Sequence, residues 1–92
     1  MEKYKVEYKK AASLVNDFDP CGFIHLGAPL DEYDFLTNKI ISYKQENKTK
    51  DEIKNMIIYE IEHHFGCMEV STLKEPLKAR FHKNLDELLH KL

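Results

Sequence analysis

Two of the three glycines and two of the three prolines of this chain fall within residues 19–34, Asp19-Pro20-Cys21-Gly22-Phe23-Ile24-His25-Leu26-Gly27-Ala28-Pro29-Leu30-Asp31-Glu32-Tyr33-Asp34. Glycine opens backbone conformations closed to other residues, and proline removes a donor and restrains its predecessor, so this stretch cannot continue a helix. On either side the apolar residues recur three and four apart. Helices joined by one long loop are the consequence. Loops of about a dozen residues without regular structure are uncommon in small domains and are usually functional or disordered. Phe23, Ile24, Leu26 and Leu30 make this one too apolar for a tether. It is expected to be ordered, packed on the helices with its polar edge outward.

Tyr4, Tyr8, Ala11, Val15 and Phe18 form the stripe of a first helix over about residues 2–17, which Asp19-Pro20 ends. Tyr33, Leu36, Ile40 and Tyr43 form a second. Its start has two registers: Asp31 as N-cap, with Leu30 stapled onto Phe35, or Asp34 as N-cap, with Asp31 and Glu32 left in the loop. Thr49-Lys50-Asp51-Glu52 has the form of a capping box and opens a third helix, with Ile53, Ile57, Ile61 and His64 on its stripe and Met56, Ile58 and Phe65 beside them. Gly66 is positioned to close it in the left-handed conformation. A last helix begins at Thr72 as cap or at Pro76 as first residue, and its stripe is Leu77, Phe81, Leu85, Leu88 and Leu92. Val70 in the connector has access to the core. No strand-like alternation or repeat interrupts this pattern, so the expected fold is all-α: one compact domain over residues 1–92, four helices, and a long ordered loop between the first two.

Charge is distributed unevenly. The net charge is −2, yet residues 11–38 contain no Lys or Arg and five acids, Asp17, Asp19, Asp31, Glu32 and Asp34. That acidic block coincides with the loop and is interleaved with Phe18, Phe23, Tyr33 and Phe35. Aromatic anchors among charges of one sign suit a partner of opposite sign, which makes Asp19, Phe23, Asp31, Glu32, Tyr33, Asp34 and Phe35 the candidate partner-binding residues. The competing reading holds that the acids only cap the second helix, where the dipole favours negative charge, and that the protein is a structural or homo-oligomeric helical domain.

Other chemistries find less support. A pI near 6.2 gives no general attraction to nucleic acid or to an anionic membrane. Lys74, Lys78, Arg80 and Lys83 give the last helix a basic side, which Glu75, Asp86 and Glu87 dilute. The serines, cysteines and histidines sit in no activating frame, and no phosphate-binding or calcium loop is present, so neither an enzyme nor a cofactor is expected. Cys21-x-x-x-His25 and His63-x-x-x-Cys67 offer the ligand types of a structural zinc site without its usual tight spacing, and no metal is expected. Residues 1–7 contain no apolar h-region and no run approaches a membrane span, so the expectation is a cytoplasmic protein with Cys21 and Cys67 as reduced thiols.

Phe18-Asp19-Pro20-x-Gly22, then Gly27-Ala28-Pro29-x-Asp31-Glu32-Tyr33-Asp34, then a helix ending in Phe65-Gly66 resembles the small helical bacterial proteins grouped as domain of unknown function 1871, the YugE-like proteins of Bacillus and relatives. The resemblance covers about residues 10–66, and Ala-Pro-x-Asp-Glu-Tyr-Asp is its most specific part. Phe18 stands where that family usually has Trp, and Phe35 where it often has Pro. A compact all-α fold is implied, with no established activity. The aromatic-Asp-Pro turn followed by an acidic Tyr-Asp helix start is also similar to segments of small immunity proteins that neutralise bacterial toxins, which implies a basic protein partner such as a toxin.

Overall fold

A computed structural model describes residues 2–92, with side chains from residue 5 onward, so the stripe position Tyr4 lies outside the described side chains. The chain is all-α. Helix α1 spans Glu2–Phe18, α2 Asp34–Gln45, α3 Lys50–Glu60 and α4 Leu77–Lys91. Helix α1 packs against α2 and α4, and α3 packs against the same two. The four helices therefore enclose one core, built from Val15 of α1, Leu36 and Ile40 of α2, Ile53, Met56 and Ile57 of α3, and Phe81, Leu85, Leu88 and Leu89 of α4. Each fully buried aliphatic side chain contributes about 1.5–3 kcal/mol relative to exposure, and this burial is the main force joining the helices.

Local signals explain the ends of α3. The Thr49 hydroxyl accepts from the Glu52 amide at 3.1 Å while the Glu52 carboxylate accepts from the Thr49 amide at 3.0 Å, so two of the orphan donors at the helix start are satisfied reciprocally. At the other end the helix loosens into a π turn over Ile61–Phe65 before Gly66, at φ 63° and ψ 23°, stops it. A side chain at that φ would be strained, which is why glycine occupies the position. No local sequence signal announces the π turn, and both of its histidines, His63 and His64, are exposed. His64, expected on the buried stripe, is exposed and stacks on Phe35 with ring centroids 4.0 Å apart.

Three further expectations need correction. Neither register for the start of α2 holds: Tyr33 stands at the cap with no capping side chain, Asp34 is the first helical residue, and Leu30 points to solvent. Helix α4 begins one residue later than the proline register, with Pro76 at its cap; Leu77 is 56% exposed and lies outside the core. The cysteines are not free thiols. Cys21 and Cys67 form a disulfide that joins the loop to the segment following α3 across 46 positions of sequence.

The buried polar groups are paired. Glu60 of α3 is buried and accepts from Lys39 of α2 at 2.9 Å, a cross-helix ion pair whose lysine is partly exposed. Loss of Lys39 would leave a buried carboxylate uncompensated, so the pair fixes the register of α2 on α3. No helix among the described residues is long and apolar enough to cross a membrane.

If the disulfide acts by restricting the unfolded chain, closing a 46-residue loop contributes about 4 kcal/mol. Cys21→Ser with Cys67→Ser should keep the far-UV circular dichroism of the parent and lose about that much stability in urea under non-reducing conditions. Thiol labelling of the unfolded, unreduced parent should find no free cysteine; two labelled thiols would refute the bond.

Candidate functional site

The loop over residues 19–33 is built around one carboxylate. Helix α1 ends at Phe18, and Asp19 turns the chain with φ 42°, a left-handed conformation that Asp tolerates better than most residues. Its amide still donates to the Val15 carbonyl at 2.8 Å, completing the helix end. Its side chain points the other way. Oδ1 accepts from the Tyr33 hydroxyl at 2.6 Å and from the Ile24 amide at 3.1 Å, and Oδ2 accepts from the His25 amide at 3.0 Å. Tyr33 Oη in turn accepts from the Cys21 amide at 3.0 Å. The loop from Asp19 to His25 is thus wrapped round a pair of side chains that satisfy three of its backbone donors.

Aromatic packing holds the same structure from below. Tyr33 is 1% exposed and lies 5.7 Å from the Phe23 ring and 5.6 Å from Phe65, centroid to centroid. The three rings pin the loop to the end of α3. Further along, Asn16 Nδ2 donates to the Leu30 carbonyl at 3.1 Å, and the Tyr8 hydroxyl donates to Asp34 Oδ1 at 2.5 Å. Helix α1 therefore holds the far end of the loop, where it runs into α2.

These contacts divide the seven candidate residues. Asp19, Tyr33 and Asp34 are engaged internally: Asp19 by three donors, Tyr33 by burial, and Asp34 by Tyr8. Of the three, Tyr33 is buried and is no surface anchor, while Asp19 and Asp34 are partly exposed with their carboxylates engaged. Phe23 is half-buried against Tyr33 and Phe65. Asp31, Glu32 and Phe35 remain outward, and neither carboxylate makes a hydrogen bond or ion pair among the described residues. No carboxylate caps α2 by a side-chain hydrogen bond; Asp34 stands in its first turn, and Asp31 and Glu32 precede it.

Two apolar residues of the loop are turned to solvent. Leu26 is 82% and Leu30 72% exposed. Their apolar character reads as evidence for loop burial, and only the tertiary structure reveals that Phe23 and Ile24 take the inward positions while Leu26 and Leu30 do not. A single exposed leucine is ordinary; here two stand exposed on a restrained loop, with Asp31 and Glu32 directly after Leu30 in the chain and Phe35, 45% exposed, in the first turn of α2. Phe35 is itself held, stacked on His64 with Lys39 Nζ 5.4 Å from its ring centre.

Cys21, His25, His63 and Cys67 do not form a ligand set: among the described residues no group of three or more His, Cys, Asp or Glu could hold a metal ion, and the two sulfurs are bonded to each other. The chain matches no protein-family model, no curated protein and no solved structure.

Asp19 and Tyr33 tie the loop to pH. Burial raises the Asp19 carboxyl, but the hydrogen bonds from Tyr33, His25 and Ile24 outweigh it, so its pKa lies below the ordinary 3.8. Burial, reinforced by Asp19, pushes the Tyr33 phenol well above the ordinary 10.0. The contribution of the carboxylate is complete above pH 3.8 and lost as pH falls through its lower folded value; that of the neutral phenol is complete below pH 10.0 and lost as pH rises towards its higher one. Urea unfolding across pH should therefore give a shallower acid limb for Asp19→Asn and a shallower alkaline limb for Tyr33→Phe. Each substitution should cost about 1.5–3 kcal/mol near neutrality, the worth of a hydrogen bond to a charged group. Unchanged limbs in both variants would show that this pair does not hold the loop.

Proposed function

We propose that the protein is a non-enzymatic binding module whose loop face docks a basic protein partner, with Leu26, Leu30 and Phe35 as the apolar contact and Asp31 and Glu32 as the charge that attracts and orients it. One observation carries this reading: the loop is restrained from within by Asp19 and Tyr33, yet it holds two leucines, 82% and 72% exposed, and two exposed carboxylates that pair with nothing among the described residues. A restrained apolar patch with a charged rim has the anatomy of a protein interface, in which the apolar centre supplies affinity and the rim supplies rate and selectivity. Preorganisation also reduces the ordering cost of association.

An immunity protein that neutralises a basic toxin is the concrete form of this proposal. It rests on the likeness of the loop to such proteins, and the resemblance to the YugE-like family, carried by the same residues, belongs to the reading without adding an activity. A cytoplasmic setting is also part of it, and the Cys21–Cys67 bond opposes that part, because disulfides persist chiefly in oxidising compartments. Labelling thiols in intact cells before lysis decides between the two: a blocked pair places the protein in oxidising surroundings.

Immobilised protein exposed to lysate of its own cells should retain a basic protein at low salt and release it as ionic strength passes about 0.15 M, where the Debye length is about 8 Å. Asp31→Lys with Glu32→Lys should reduce that capture about tenfold or more, and Leu26→Ser with Leu30→Ser should do the same, both with unchanged helicity. Identical capture by the parent and both double variants would reject the proposal.

A further inference from the structure

Away from that face, Phe18, Pro20, Met68, Leu73, Leu77 and Phe81 wall a cleft of about 250 Å³ between the base of the loop, the connector and α4. Most of the wall is apolar, and the rest comes from Asp19, Arg80 and Asn84. Asp19 is already committed, since Tyr33, Ile24 and His25 occupy both of its oxygens. Arg80 and Asn84 are not. They stand four residues apart on α4, hence on neighbouring turns of one face, and neither side chain makes a hydrogen bond or ion pair among the described residues.

This accounts for one feature left over from the fold. Leu77 lies on the apolar stripe of α4 yet is 56% exposed, because it borders the cleft and not the core. Lys74 and Lys78 lie either side of Leu77 in sequence and Lys83 follows Arg80, but Arg80 is the one basic residue among those lining the cleft. Small-molecule sites combine an apolar concavity with a few convergent polar groups, in volumes from about 300 Å³ upward, and this cleft lies just below that range. An acidic peptide would meet the same charges, but the concavity suits a short chain.

We infer that the cleft binds an amphipathic monocarboxylate, its tail against Phe18, Leu73, Leu77 and Phe81 and its carboxylate paired with the Arg80 guanidinium beside the Asn84 amide. Guanidinium matches carboxylate in a two-bond geometry that ammonium does not reproduce, and the apolar wall beside Arg80 receives the tail.

The test is titration of the full chain, followed by two-dimensional amide NMR, with octanoate, 1-octanol and octylamine. Octanoate should bind saturably, with shifts centred on residues 73–84 and 18–20 and not on 26–35. 1-Octanol and octylamine should bind at least about tenfold more weakly, the loss of one charge-assisted pair. Arg80→Met, which keeps an apolar stem on an exposed position, should weaken octanoate about tenfold and leave 1-octanol unchanged. Equal binding of octanoate and 1-octanol, an unaffected Arg80→Met variant, or the absence of saturation at millimolar octanoate would each overturn the assignment. None of these outcomes bears on the loop face, so the two proposals fail independently.

Discussion

The hydrogen bond from the Tyr33 hydroxyl to the Asp19 carboxylate spans 2.6 Å and joins the end of α1 to the start of α2. Between those helices the chain is non-helical from residue 19 to residue 33, and its backbone donors need partners if the loop is to hold one shape. A charged acceptor suits the purpose, because a carboxylate takes several donors at once and each such bond is worth about 1.5–3 kcal/mol net. Asp19 accepts from Ile24 and His25 as well as Tyr33, and Tyr33 Oη accepts from Cys21. Placing the tyrosine at the cap of α2 has a local consequence. Its side chain turns inward, and the helix begins without the capping hydrogen bond that Asp31 or Asp34 could have made.

The disulfide and the aromatic cluster secure the same loop by different physics. Phe23, Tyr33 and Phe65 anchor it through buried surface, and Cys21–Cys67 ties it covalently to the segment after α3. Both attachments reach the far end of α3, where the π turn and Gly66 place Phe65 and Cys67 under the loop. The widened turn that exposes His63 and His64 is thus also what presents Phe65 to Tyr33. One backbone irregularity serves two sides of the molecule.

What was legible in the sequence follows the range of the interaction concerned. The Thr49–Glu52 capping box and the Gly66 stop are settled within four residues, and both appear as expected. Helix stripes need only the 3.6-residue period, so Val15, Leu36, Ile40, Ile57 and Leu85 are assigned to the core correctly. The loop was recognisable as a loop, but not its inside from its outside. Asp19 and Asp31 are equally acidic in the sequence; only the Tyr33 hydroxyl, 14 positions away from Asp19, decides which of them is consumed. The cysteine pairing requires the whole fold to bring positions 46 apart together, and two cysteines so far apart in sequence give no local hint of it.

An internally saturated loop changes what its outer residues mean. On a mobile segment, exposed leucines fold back or collapse on the nearest apolar surface, and their exposure carries little information. Here the backbone of residues 19–28 is held by side-chain acceptors and by its own turns, including Ala28 N–H to Phe23 C=O at 2.9 Å, and Gly27 at φ 94° directs the chain between the two leucines. Leu26 and Leu30 are therefore kept from the core by a conformation that the interior enforces. Burying them would gain about 1.5–3 kcal/mol each, so the fold forgoes that stabilisation at a place where it spends a buried tyrosine and a charged hub on rigidity. Such a structure is costly to maintain for chain reversal alone, which Asn47 and Lys48 accomplish between α2 and α3 with a few polar residues. The difference between those two connections is the physical ground for proposing recognition at the first.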